Sequence, residues 1–178
     1  MIKLTNSQRI SVGAMVVALN LLFLYAASVL PTLRIASLVM SSLFVYCLTG
    51  EKEYASGIIT FIVTSVLALI ILPDKILLAP YVMLLGHYGI FKPIIDEKVK
   101  DRIMNIIIKI IYCNVFSGIG IAVCSMILNF DFESLGIELP HYLIAIIAEV
   151  AFFLWEIIYS LCTRIYNAQI RSRLLPKR

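Results

Sequence analysis

Long apolar runs, separated by short segments rich in charge or proline, follow one another through most of this chain. The first run covers residues 10–30, and a helix needs about 20 predominantly apolar residues to cross a bilayer. Hydrophobic residues make up 61% of the 178 residues and charged residues 15%, which is more apolar surface than a soluble domain of this size can bury. The sequence therefore predicts an all-α integral membrane protein.

The order of apolar runs predicts a bundle of six transmembrane helices. Their expected bounds are 10–30, 35–48, 54–72, 76–91, 103–128 and about 141–166. Residues 92–102, between the fourth and fifth crossings, predict a short helix lying in the membrane interface, because apolar and charged residues can occupy opposite faces there. No connection is long enough to hold a soluble domain, so residues 1–178 are expected to form one transmembrane domain.

The distribution of basic residues predicts the orientation of this bundle. Segment 73–102 carries one basic residue, Lys75, near its first end and several between Lys92 and Arg102. Cytoplasmic loops carry an excess of Lys and Arg. With both termini in the cytoplasm, all of the 15 basic residues except Arg34 and Lys75 lie on the cytoplasmic side. The sequence thus predicts a multi-pass protein with cytoplasmic N and C termini.

Several classes of function are not expected. The four cysteines occur singly within apolar runs, and the two histidines are predicted at opposite ends of the bundle, so we expect no metal site and no cofactor. The basic residues flank apolar runs, where they set the orientation of the protein in the membrane. Nucleic acid is therefore not an expected partner, whereas membrane lipid is. The sequence lacks the spacing of a phosphate-binding loop, and we expect no enzyme activity.

Two carboxylates, Glu149 and Glu156, lie inside the last apolar run. Charged groups at that depth are costly and normally face a bundle interior, a cavity or a partner. In one interpretation Glu149 helps to form a ligand cavity, with Tyr81 or Asn114 opposite. In the other, both carboxylates only hold helices together, with Lys109 or Asn114 as partners. Both interpretations stay open for Glu149, and the structural one is favoured for Glu156.

Small residues recur on one face of the first predicted helix, at Ser11, Ala14 and Ala18. Small side chains allow close approach of a second helix backbone in lipid. The second helix belongs either to the same chain or to another protein.

The outline resembles the substrate-binding S components of energy-coupling factor transporters. The resemblance rests on Ala14 and Ala18 in the first helix, on the short turn at 31–34, and on compact outer loops at 74–75 and 131–138. It implies a bacterial cell-membrane protein of six helices in which Ala14 and Ala18 dock on a shared coupling subunit that works with two ATPases. It also implies a small-molecule ligand, held in the outer half of the bundle.

Carried over to this sequence, the resemblance implies the ligand residues Arg34, Lys75, Tyr81, Asn114 and Glu149. The run 80–92 is similar to small membrane proteins of Gram-positive anaerobes that share this outline. The expected function is substrate capture for micronutrient uptake. The alternative is a non-transporting scaffold or assembly factor that binds partner membrane proteins or anionic lipid. A pocket lined by Arg34, Tyr81 and Glu149 would favour capture, and solid packing there would favour the scaffold.

Overall fold

The computed structural model describes residues 5–128 and 141–170, and all regular structure within them is helical. Five segments are long and apolar enough to cross a membrane: Asn6–Val29, Pro31–Thr49, Tyr54–Ile71, Leu78–Lys98 and Arg102–Gly120. They correspond to the first five predicted crossings and support a membrane protein. The outer loop expected at 131–138 lies outside the described residues.

Helix α1, Asn6–Val29, begins with a capping box. The Gln8 backbone N–H donates to the Thr5 hydroxyl at 3.3 Å, and the Thr5 N–H donates to the Gln8 side-chain oxygen at 3.0 Å. These bonds satisfy backbone donors that the first turn leaves free, so the helix starts before the apolar run that predicted it. A 3-10 turn at Pro31–Leu33 follows α1, which confirms the predicted turn.

The next two spans are α2, Arg34–Phe44, continued by the short α3, Tyr46–Thr49, and then α4, Tyr54–Ile71. Ion pairs show that these spans alternate in direction. Arg9 and Glu53 are 3.0 Å apart, so the start of α1 lies beside the start of α4. Arg34 and Asp74 approach to 3.8 Å at the opposite end of the bundle.

The fourth span consists of the single turn α5, Leu78–Pro80, a π-helical turn at Tyr81–Leu85, and α6, Gly86–Lys98. The predicted interfacial helix is not found as a separate element, because its first residues continue α6. Pro93 cannot donate a backbone hydrogen bond to the carbonyl of Gly89. The Thr49 hydroxyl donates to that carbonyl instead, at 2.8 Å. The Gly89 carbonyl therefore keeps a hydrogen-bond donor although the helix contains Pro93.

The last described helices are α7, Arg102–Leu128, and α8, His141–Ile165, which is extended by a π-helical turn at Tyr166–Ile170. Polar contacts pair Lys109 of α7 with Glu156 of α8, and Asn114 further along α7 with Glu149. Residue numbers increase along α7 while those of their partners decrease along α8, so the two helices are antiparallel.

The interior contains two apolar clusters, one in each half of the bundle. The first is called the outer cluster after the orientation that the sequence predicts, and it consists of Leu24, Ala27, Leu38, Ala68, Leu72, Leu78 and Tyr81. The inner cluster is mostly aromatic and consists of Tyr88, Tyr112, Cys113, Phe152, Trp155 and Tyr159. Large apolar side chains also cover the outside of the helices, as a lipid-facing surface requires, and Ile70 of α4 is 74% exposed.

Gly89 marks the closest approach between α6 and its neighbours. A methyl group at this position would lie 2.8 Å from the carbonyl oxygen of Ser42 and 3.1 Å from the hydroxyl of Tyr159. Only a residue without a side chain therefore fits here unless α2 or α8 moves.

Candidate functional site

Helix α6 presents a polar stripe to the inner half of the bundle. Tyr88, Lys92 and Asp96 are spaced by four residues, so they lie on one face of the helix. The side chain of Lys92 is only 4% exposed and that of Asp96 is 44% exposed. The stripe thus runs from the aromatic cluster to the end of the bundle.

Glu156 of α8 lies at the centre of the polar contacts made by this stripe. Its carboxylate accepts hydrogen bonds from the Tyr88 hydroxyl and from the Lys92 ammonium. Lys109 of α7 donates to it at 2.9 Å, so one carboxylate joins three helices. The Ser160 hydroxyl receives a further bond from Lys92, at 3.0 Å.

Asp96 completes a group of four charged side chains that we call the charged quartet: Lys92, Asp96, Lys109 and Glu156. Lys109 donates to Asp96 at 2.7 Å, and Lys92 lies 3.7 Å from it. Two cations and two anions balance one another in a region where an isolated charge would be strongly disfavoured. Asn105 also donates to Asp96, at 3.0 Å.

An aromatic layer closes the quartet on the side of the membrane interior. The rings of Tyr88 and Trp155 are 4.2 Å apart, and Phe91 stacks on Tyr112 at 4.0 Å. The Lys92 ammonium lies 5.6 Å from the ring centre of Tyr159, within the range of a cation–π contact. Aromatic packing therefore separates the quartet from the outer half of the bundle.

A cavity of about 730 Å³ lies beside the quartet, between α7 and α8. Asp96, Lys109 and Glu156 line it. So do the exposed cations Lys100, Arg102 and Arg164, which we call its mouth. Apolar side chains from both helices form its walls, including Ile106, Phe153, Ile157 and Leu161. The cavity thus combines buried charges, exposed cations and apolar walls.

The structure brings together two of the residues predicted to bind a ligand. The Asn114 amide donates to one oxygen of Glu149 and, at 3.1 Å, to the Ile110 carbonyl. The other oxygen of Glu149 is buried and has no hydrogen-bond partner among the described residues. The predicted pairing of these two residues is confirmed.

The other three predicted ligand residues lie elsewhere. Tyr81 is fully buried in the outer cluster, where Asn20 donates to its hydroxyl at 3.4 Å. Arg34 faces Asp74, and Lys75 is exposed at the start of the short turn before α5. Among the described residues, no hydrogen bond or ion pair joins these three to Glu149. The contacts therefore do not assemble the five predicted residues into one site.

The predicted partnership of Glu156 with Lys109 is confirmed, but sequence reasoning missed Lys92 and Asp96. Both residues fall in the segment predicted to lie in the membrane interface with its charges facing water. Because α6 continues through that segment, Lys92 falls on the buried face instead. The spacing of four that links it to Tyr88 was the available signal.

The small face of α1 does not pack against the described part of this chain. Ser11, Ala14 and Ala18 are exposed, whereas Val16 and Asn20 on the opposite side are buried. This face was predicted to pack against a helix of the same chain or of another protein. No helix among the described residues covers it.

Comparison with known proteins adds no family assignment, because no family model, curated protein or solved structure matches this chain.

Proposed function

We propose that this protein is a non-transporting scaffold or assembly factor of the bacterial cell membrane, with six crossings and cytoplasmic termini. The alternation of the first three spans and the antiparallel pairing of α7 with α8 support this topology. The charged quartet and the cations Lys98, Lys100, Arg102 and Arg164 lie at the end of the bundle that the sequence predicts to be cytoplasmic.

The packing around Tyr81 is the observation that favours a scaffold over ligand capture. This side chain was predicted to line a pocket with Arg34 and Glu149. Instead it fills space between apolar side chains of α1, α2 and α4, with its ring 6.0 Å from that of Phe61. Arg34 is held at the rim by Asp74.

The exposed face of α1 supports a protein partner for this scaffold. Ala14 and Ala18 stand one turn apart on a helix of 24 residues, and neither is covered by the described part of the chain. In lipid, small residues at this spacing favour close helix packing rather than contact with acyl chains. The partner we propose is a transmembrane helix of another membrane protein.

Photo-crosslinking in native membranes tests this proposal. A photoreactive amino acid in place of Ala18 is expected to give one defined protein adduct, identified by mass spectrometry, because a packed helix lies within reach. The matched control is the same replacement at Ile70, which faces lipid on α4. Ala18→Trp places a bulky ring between the two helices and is expected to lower recovery of the partner about tenfold or more. A loss of roughly 1.4 kcal/mol in binding free energy is sufficient for a tenfold effect.

Failure to form a protein adduct at position 18, or equal adducts at positions 18 and 70, would contradict a scaffold that acts through α1. An adduct with a coupling subunit, together with co-purification of two ATPases, would instead establish substrate capture.

Substrate capture for micronutrient uptake stands as the second candidate because of one observation at Glu149. Its second carboxylate oxygen is buried without a donor among the described residues. A buried acceptor that lacks a donor costs about 1–3 kcal/mol, which a bound ligand with a suitable donor would recover.

Glu149→Gln tests the capture candidate. The substitution keeps the shape of the side chain but removes its charge, so a ligand held through this carboxylate is expected to be lost while the protein stays folded. The measurement is native mass spectrometry of protein extracted in a mild detergent, with the exposed Glu97→Gln as control. Equal small-molecule adducts in both variants, or none in the natural protein, would remove this candidate.

A further inference from the structure

The mouth of the cavity between α7 and α8 carries exposed cations. Lys100, Arg102 and Arg164 are exposed, and none of them forms an ion pair with a described residue. They converge because α7 begins where the antiparallel α8 ends. Asp96, Lys109 and Glu156 also line the cavity, and the buried Lys92 balances them from behind, so the net charge of the mouth is positive.

Directly beside these cations, the cavity walls are apolar. Ile157 is 64% exposed and Leu161 is 57% exposed, and both lie on the last turns of α8 before Arg164. A small soluble anion would use the cations and leave these side chains uncovered. A molecule with an anionic group next to an acyl chain would contact both surfaces.

From this combination of charge and apolar wall we infer that the cavity binds an anionic phospholipid of the cytoplasmic leaflet. The lipid phosphate contacts Arg102, Arg164 and Lys100, and an acyl chain lies along Ile157 and Leu161. Basic pockets between transmembrane helices on the cytoplasmic side are suited to anionic headgroups. The inference deepens the scaffold proposal and rests on it only for the cytoplasmic placement of this end of the helices.

The test is lipid binding to the full-length protein in a neutral detergent, followed by native mass spectrometry. Phosphatidylglycerol is compared with phosphatidylcholine of the same acyl chains. We expect phosphatidylglycerol to bind with higher affinity, because only its headgroup has a net negative charge to match the mouth.

Charge-removing variants locate the site. Arg102→Gln and Arg164→Gln are each expected to weaken phosphatidylglycerol binding roughly fivefold, and together about 25-fold, the effect expected of cations beside an anionic headgroup. Lys98→Gln is the matched control, since Lys98 is exposed at the same end of the bundle but does not line the cavity. The charge-preserving pair Arg102→Lys and Arg164→Lys is expected to retain binding, which separates loss of charge from loss of fold.

A competition experiment distinguishes a phospholipid headgroup from a soluble phosphate ester as the source of the bound phosphate. A large excess of soluble glycerol phosphate is expected to leave the bound lipid in place, because it lacks the acyl chain that contacts the apolar walls. Displacement by glycerol phosphate would overturn the lipid assignment in favour of a soluble phosphate ester. Equal binding of the two lipids, or an equal loss with Lys98→Gln, would overturn the site itself.

The scaffold proposal is tested independently of lipid binding. Crosslinking at Ala18 reports on a protein partner whatever lipid is bound. If a membrane-impermeant thiol reagent labels the Lys98→Cys variant only from outside the cell, the cytoplasmic placement is wrong. Lipid affinity in detergent does not depend on that placement, so the two results are independent.

Discussion

Glu156→Ala is expected to lower the free energy of unfolding by about 3 kcal/mol, near the lower end of the range for breaking a buried ion pair. The substitution leaves Lys92 and Lys109, which are 4% and 7% exposed, without their shared carboxylate. Asp96 still faces both lysines, which limits the loss. Equilibrium unfolding in mixed detergent micelles measures the change.

Two further variants separate charge balance from the simple loss of a side chain. Glu97→Ala breaks an ion pair with Lys52 at the surface and is expected to leave stability unchanged within error. Adding Lys92→Met to Glu156→Ala is expected to restore at least half of the lost stability, because it removes the uncompensated charge. A double variant less stable than Glu156→Ala would show that the quartet does not act through charge balance.

Gly89→Ala is expected to destabilise the protein by about 1–3 kcal/mol, the usual cost of adding a group to a well-packed interior. The new methyl group would meet the Ser42 carbonyl oxygen at 2.8 Å, and the Cβ of Val45 at 3.1 Å. Relief requires α6 to move away from α2, which would also strain the bond between Thr49 and the Gly89 carbonyl.

The same substitution at Gly118 provides the control. No atom outside its own helix backbone and sequence neighbours lies within 4 Å of an added methyl group there, so Gly118→Ala is expected to stabilise the protein by about 0.5–1 kcal/mol through helix propensity. If Gly89→Ala raises the unfolding midpoint as Gly118→Ala does, the close approach at Gly89 does not exist in the folded protein.

Hydropathy predicted most helix bounds because the length of a crossing is set by the bilayer, independently of tertiary packing. The end of α6 was missed for a physical reason. Pro93 and the charges that follow it resemble a helix end, but the hydroxyl of Thr49, distant in sequence, replaces the hydrogen bond that Pro93 cannot make. A single sequence does not reveal such a replacement.

The candidate site was predictable in part. Charges inside an apolar helix need partners, so the pairing of Glu156 with Lys109 and of Glu149 with Asn114 followed from their depth. The burial of Tyr81 did not, because it depends on apolar side chains of α1, α2 and α4 that are distant in sequence. A resemblance in outline gives the order of the helices, but it does not determine which side chains fill the space between them.

The cavity between α7 and α8 has a side wall of exposed apolar residues, which places its entrance within the bilayer as well as at its surface. A molecule that enters there arrives by lateral diffusion in one leaflet. Its occupancy then depends on its mole fraction among the surrounding lipids, and dilution of the aqueous phase leaves that occupancy unchanged. A titration of membrane composition, with the total lipid held constant, therefore measures the same site under the conditions in which it is filled in a bilayer.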